Sequence, residues 1–178
     1  MPVLTASDRT TLLKNISVNL GDTAARHPDL AALKHQTAEK RRPIAPLFVP
    51  QPRAAPYVVV TPGPLEFRRT GNTRRDLFTV LLHTVHLAIA GMTGAGALLG
   101  TTEFDGIDTL NEAIIKALER PRPYDDGLHI TANGYTTQTR VHLAIARTVS
   151  APALVEGLRE QERLVKTEIA IDYLLSKA

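Results

Sequence analysis

The chain contains no cysteine and no tryptophan, and aromatic residues make up only 4% of it. Without cysteine there is no disulfide framework and no thiolate chemistry. Sparse aromatics leave stacking on single-stranded nucleic acid poorly supported. No apolar run approaches the ~18 residues that a spanning helix needs, so no membrane association is expected. The first ten residues, MPVLTASDRT, lack the basic start and apolar middle of a secretion signal, which makes cytoplasmic synthesis the expectation. A large excess of one charge is also missing: 21 Lys and Arg against 18 Asp and Glu leave +3. Nucleic-acid binding is thus permitted but not indicated.

What the chain does contain suits one core. Its 178 residues are 43% hydrophobic and 22% charged, which fits a single domain, 1–178, and leaves no room for a separate cofactor domain. Thr5 and Asp8 have capping-box spacing, and Leu12, Leu13, Ile16 and Leu20 recur at helical spacing until Gly21 supplies a stop. An N-terminal helix follows. Residues 28–40 suggest a second, short helix through Leu30 and Leu33. Seven of the twelve prolines fall within 43–64; they remove backbone donors and fix φ, so this stretch is expected to run extended, as an arm on a neighbouring subunit or along the protein's own surface.

Residues 57–60 and 65–70 read as short strands separated by Pro62-Gly63-Pro64, and Gly71-Asn72 marks a turn. Residues 74–90 fit a helix through Leu77, Leu81, Val85 and Ile89, and equally a buried strand. An internal repeat decides for the strand: VHLAIA occupies 85–90 and again 141–146, where it follows an Asn133-Gly134 hairpin signal and a threonine-rich run. The two copies are expected to be neighbouring strands, each ending a hairpin that feeds a helix. The first of these helices covers 108–120, with Ile107, Leu110, Ile114 and Leu118 on one face. The second is a long C-terminal helix at about 151–175, up to ~37 Å at ~1.5 Å per residue. The expected class is α+β: an antiparallel four- to five-stranded sheet from two hairpin-plus-helix units, helices packed on one face, an N-terminal helix and a long C-terminal helix.

Residue constellations do not specify chemistry. Gly91, Gly94, Gly96 and Gly100 crowd one loop, but a dinucleotide fingerprint wants glycine at Leu99 and a phosphate-binding loop wants lysine at Ala97. His83 and His86 fall on opposite faces of a strand, and His86 with His142, at equivalent repeat positions, lacks a third ligand. No metal or cofactor is expected. Asp105 and Asp108 read as helix caps and Asp125-Asp126 as a solvated turn. No Gly-x-Ser-x-Gly or His-Glu-x-x-His pattern occurs, so no catalytic residue is assigned and an enzyme is not expected.

Two features point to interfaces. Arg68, Arg69, Arg74 and Arg75 place four guanidiniums around the Gly71-Asn72 turn, able to pair with phosphates or with an acidic partner. In the expected C-terminal helix, Leu154, Leu158, Val165, Ile169 and Tyr173 form one stripe, and Leu164, Ile171, Leu174 and Leu175 a second. One stripe is explained by core packing; a helix that is also apolar on a second side near its end suggests contact with another chain, which makes the end from Ile169 to Leu175, with Ile169, Ile171, Tyr173, Leu174 and Leu175, a candidate interface.

In the order of its elements the chain resembles the tail terminator and tail-completion proteins of long-tailed bacteriophages. The segments that carry the resemblance are PYVVVTPGPLEF at 56–67, DLFTVLLHTVHLAIA at 76–90, DTLNEAIIKALERP at 108–121 and LHITANGYTTQTRVHLAIA at 128–146, about a third of the chain. The proline-rich arm and the long closing helix depart from that pattern. The resemblance implies a structural virion protein without an active site, a homo-oligomer assembled as a hexameric ring on the tail tube, which stops tube growth and offers a head-joining surface. Its partners would be the tail tube protein and neck or connector proteins. A neck or head-tail connector protein shares the ring logic; a small basic nucleic-acid-binding module, using the arginine tip, is the other class.

Overall fold

The computed structural model describes residues 4–21, 57–87, 106–119, 129–132, 135–156 and 163–177. Helix α1 spans Ala6–Gly21, strands β1 and β2 span Tyr57–Thr70 and Thr73–Leu87, and helix α2 spans Ile107–Leu118. Strands β3 (His129–Ala132), β4 (Tyr135–Val149), β5 (Ala153–Glu156) and β6 (Arg163–Lys177) follow. All pairings are antiparallel, in the order β1-β2-β6-β4-β3, with β5 paired to β6 as well.

The α+β class and the antiparallel sheet agree with expectation; the long C-terminal helix does not form. Residues 163–177 are a central strand, with β2 along one side and β4 and β5 sharing the other. The reason is a period-2 pattern that competes with the helical stripe: Val165, Thr167, Ile169, Ile171, Tyr173 and Leu175 alternate with Lys166, Glu168, Ala170, Asp172 and Leu174. The first set includes four β-branched residues, which favour a pleated strand, and all six are buried. The copy of VHLAIA at 141–146 therefore feeds a strand and not a helix. Nor are the two copies adjacent, because β6 lies between them. Val85 pairs opposite Lys166, whereas Val141 pairs opposite Leu175, so the equivalent first residues of the copies sit ~30 Å apart along β6 at ~3.3 Å per residue.

Alternation sorts the sheet into two faces. On the first, Val58, Val60, Phe78, Val80, Leu82, Val141, Ala144, Ile169, Ile171 and Tyr173 join Leu12, Leu13 and Ile16 of α1 and Leu110, Ile114 and Leu118 of α2 in one core. Both helices lie on this face, α1 against β1, β3 and β4, α2 against β2 and β6. The capping box of α1 forms as read: Thr5 N–H donates to Asp8 Oδ2 at 2.8 Å and Asp8 N–H to Thr5 Oγ1 at 3.2 Å. At α2 the cap is Gly106 and not an aspartate; Asp108 stands in the first turn, at the positive end of the helix dipole. Asn111 ties α2 to β6 through buried hydrogen bonds with Thr167 Oγ1 at 2.9 and 3.1 Å. Glu119 Oε1 accepts from Ala146 N–H at 3.0 Å, where the β4 register shifts.

Residues 57–64 are not an arm but the first half of β1; residues 43–56 of the expected arm, and the short helix at 28–40, lie outside the described residues. Pro62 and Pro64 do not end the strand. They are accommodated in an edge strand by a register shift between Pro62 and Leu65. Gly63 is required there, since a Cβ would meet the Thr79 carbonyl oxygen at 2.8 Å.

Gly63→Ala is expected to lower stability by ~1–3 kcal/mol through this overlap, and Ile171→Ala by ~2–5 kcal/mol through the core cavity it leaves. Urea denaturation checks both; an unchanged midpoint for Ile171→Ala would contradict a central β6.

Candidate functional site

The tip of the β1–β2 hairpin is built by a two-residue turn. Thr70 pairs with Thr73, and Gly71 takes φ 58°, a left-handed conformation that glycine adopts without a steric penalty. The register then sets Arg68 opposite Arg75 and Arg69 opposite Arg74. Like charges directly opposite one another are destabilising, and the tip offsets part of this locally. Arg74 Nε donates to Asp76 Oδ1 at 2.9 Å, with the Asp76 side chain only 3% exposed. The Arg74 guanidinium also stacks on Phe67, 4.6 Å from the ring centroid. Arg68 pairs with Glu66 at 3.2 Å on the surface. Among the described residues, Arg69 and Arg75 have no carboxylate partner. Phe67, Arg68, Arg69 and Arg74 line an open concavity of about 310 Å³.

The second face of the sheet extends this charge. Arg75 stands one position beyond the Asp76–Leu175 pair, level with Ser176, and Ser176 pairs with Arg140 of β4. Arg68, Arg75 and Arg140 thus lie in one row across β1, β2, β6 and β4, all exposed. His142 joins the row, its Nε2 2.7 Å from Ser176 Oγ. Burial pushes the His142 pKa below 6.5, and the positive charges of Arg75 and Arg140 push it further the same way. The imidazole is neutral at pH 7.

Farther along this face, Thr61 Oγ1, His83 and Glu168 form a second row, on β1, β2 and β6. Thr61 Oγ1 lies 3.0 Å from His83 Nε2, and His83 Nδ1 lies 3.4 Å from Glu168 Oε2. That last contact is an ion-pair distance without hydrogen-bond alignment. The order hydroxyl, imidazole, carboxylate is that of a nucleophile with its base. Acyl transfer, however, also needs free N–H groups aimed at a developing oxyanion. Thr61 pairs with Leu81 in the β1–β2 ladder, the residue after it, Pro62, has no N–H to offer, and the hydroxyl also reaches the Leu81 carbonyl at 3.4 Å. Burial, then Lys166, lowers the His83 pKa against the opposing pull of Glu168.

The other sequence candidates are dispersed. His83 and His86 face opposite sides of β2, as the strand reading requires, with His86 buried among the core residues. The described residues contain no group of three metal-ligating side chains. The glycine-rich 91–100 segment, Asp105 and Asp125-Asp126 lie outside them. Among the expected interface residues of the C-terminal segment, Ile169, Ile171, Tyr173 and Leu175 are 0–1% exposed on the helix-covered face; they hold the core and present no surface. Leu174 is half-buried on the second face. Arg140, His142 and Ser176 were not legible as site residues, because only strand register brings them to the tip arginines. No helix among the described residues is long and apolar enough to cross a membrane.

The fold and site together define a two-layer α+β domain with a basic hairpin end and a partly polar second face. No protein-family model matches the chain, and a search of the curated proteins finds no match.

Both His83 and His142 are held below 6.5 in the folded state, so between that value and their folded pKa values the unfolded chain binds more protons than the folded one. Their contribution to stability is present above pH 6.5 and lost as pH falls below it. The urea midpoint is expected to be lower at pH 5.5 than at pH 7.5, and the difference to shrink in a His83→Gln, His142→Gln variant. An undiminished difference would contradict the assignment.

Proposed function

We propose that the chain is a structural virion protein of a tailed bacteriophage, a tail terminator or tail-completion protein that forms a ring on the tail tube and provides the head-joining surface. The observation that carries this reading is the exposed apolar margin of the sheet. Beyond residue 140, no described strand pairs with the outer edge of β4, and β5 continues that edge. Along it Ile145, Val149 and Leu154 are 39%, 43% and 72% exposed. An unpaired strand edge bearing exposed large apolar side chains is covered in stable assemblies by another chain. Sister subunits satisfy this requirement around a ring when the rotation closes.

The element order supports the same reading: helix, long hairpin, helix, then a second hairpin. The loss of the expected C-terminal helix removes one of the departures from the pattern of tail terminators. Phe67, Arg69 and Arg74, on the other face of the tip from Arg68 and Arg75, are then a further contact surface, for the tube or for a neck protein. A head-tail connector uses the same ring logic with different partners. Function in either case lies in repeated interfaces and needs no cofactor.

Native mass spectrometry of the purified protein is expected to find a closed ring of six chains. Val149→Glu combined with Leu154→Glu, both exposed, is expected to yield folded monomers with the far-ultraviolet circular dichroism of the wild type and a melting temperature that no longer depends on protein concentration. A wild-type chain that stays monomeric and never caps or joins tail tubes would overturn the reading.

A further inference from the structure

We propose that Arg68, Arg75 and Arg140, together with His142 and Ser176, form a band that binds the phosphodiester backbone of nucleic acid. The inference goes beyond the ring reading and rests on strand register alone. Neighbouring strands are ~4.8 Å apart, so the row from Arg68 to Arg140 crosses three intervals, ~14 Å. A duplex carries one negative charge per ~1.7 Å of its axis, so several phosphates lie within that span. All three guanidiniums are exposed, and Glu66, paired with Arg68, is the carboxylate that touches the row among the described residues.

The surroundings favour a polyanion over an acidic protein surface. Protein interfaces are anchored by aromatic groups and arginines packed into a desolvated centre, whereas the arginines of this row are exposed and the row contains no large exposed apolar group. The exposed ones here lie elsewhere: Ile145, Val149 and Leu154 along the β4–β5 margin, and Phe67 at the tip beneath Arg74. The row itself offers guanidiniums, an imidazole and a hydroxyl, the groups that contact phosphate oxygens.

His142 gives the band a proton dependence. It is faced by Arg140 on its own strand, by Ser176 of β6 and by Arg75 of β2, with Arg68 next on β1 and His129 of β3 paired opposite Arg140. Burial first, and then the positive field of Arg75 and Arg140, hold the imidazole pKa down; an entering phosphate would neutralise that field. Binding therefore favours protonation, and the imidazolium adds a further contact.

Fluorescence anisotropy of the full chain with a fluorescein-labelled mixed-sequence 30-base-pair duplex tests this. Binding is expected at 50 mM NaCl, with a slope of log affinity against log salt of about −2.7 for three phosphate contacts. Arg75→Gln with Arg140→Gln is expected to remove about two-thirds of that slope, while Lys116→Gln, on α2, leaves it unchanged. Affinity is expected to rise from pH 7.5 to pH 6 in the wild type and to stay flat in His142→Gln. No binding at 50 mM NaCl, an unaltered slope in the double variant, or equal displacement by polyglutamate at matched charge would overturn the proposal. A wild-type affinity flat with pH would overturn the place of His142 in it. A ring that ignores the duplex removes the band and spares the ring reading; a monomer that binds it does the reverse.

Discussion

The structure depends on β6 being hydrogen-bonded along both of its edges. Twelve consecutive residues of β6, from Leu164 to Leu175, pair with β2, and its other edge is completed by β4 and then β5. The line between β4 and β5 breaks at 150–152, where Pro152 stands. Ser150 keeps the contact by donating its N–H to the Glu168 carbonyl and accepting from Glu168 N–H on its hydroxyl, both at 2.8 Å. With both edges engaged, alternate residues of β6 face opposite sides. One set joins the two helices in the core, and the other carries the polar contacts that cross the second face, such as Thr79 Oγ1 donating to Asp172 at 2.7 Å.

Because β6 separates the two hairpins, it also sets what meets what. Residues 85–87 of the first hexapeptide share strand character with the second but stand at a different height on the opposite side of β6. The arginines at the β1–β2 tip are aligned with Arg140 only through Ser176 between them. The charge on this face is therefore a product of topology. No segment of the sequence contains it.

Local signals were legible and non-local ones were not. The α1 capping box, the α2 stripe and the Gly71-Asn72 turn each depend on residues a few positions apart, and each formed. Residues 74–90 are ambiguous by periodicity and the repeat decides for a strand, which β2 bears out as far as Leu87. Residues 163–177 were misread because Val165, Ile169 and Tyr173 belong both to a helical stripe and to a strand alternation. The strand prevails because β2 and β4 offer it partners, which no local pattern reveals. The same limit governs the site: four guanidiniums around a turn could be read directly, whereas Arg140, His142 and Ser176 required register, and the exposed margin of β4 and β5 required knowing that β5 was not part of a helix.

Nuclear magnetic resonance of the backbone tests the central claim most directly. If β6 lies between β2 and β4, interstrand contacts between backbone protons will join Ile171 to Val80 on one side and to Ala146 on the other. Strong sequential amide-to-amide contacts through 164–175, as in an α-helix, with no cross-strand contacts at Ile171, would contradict the account.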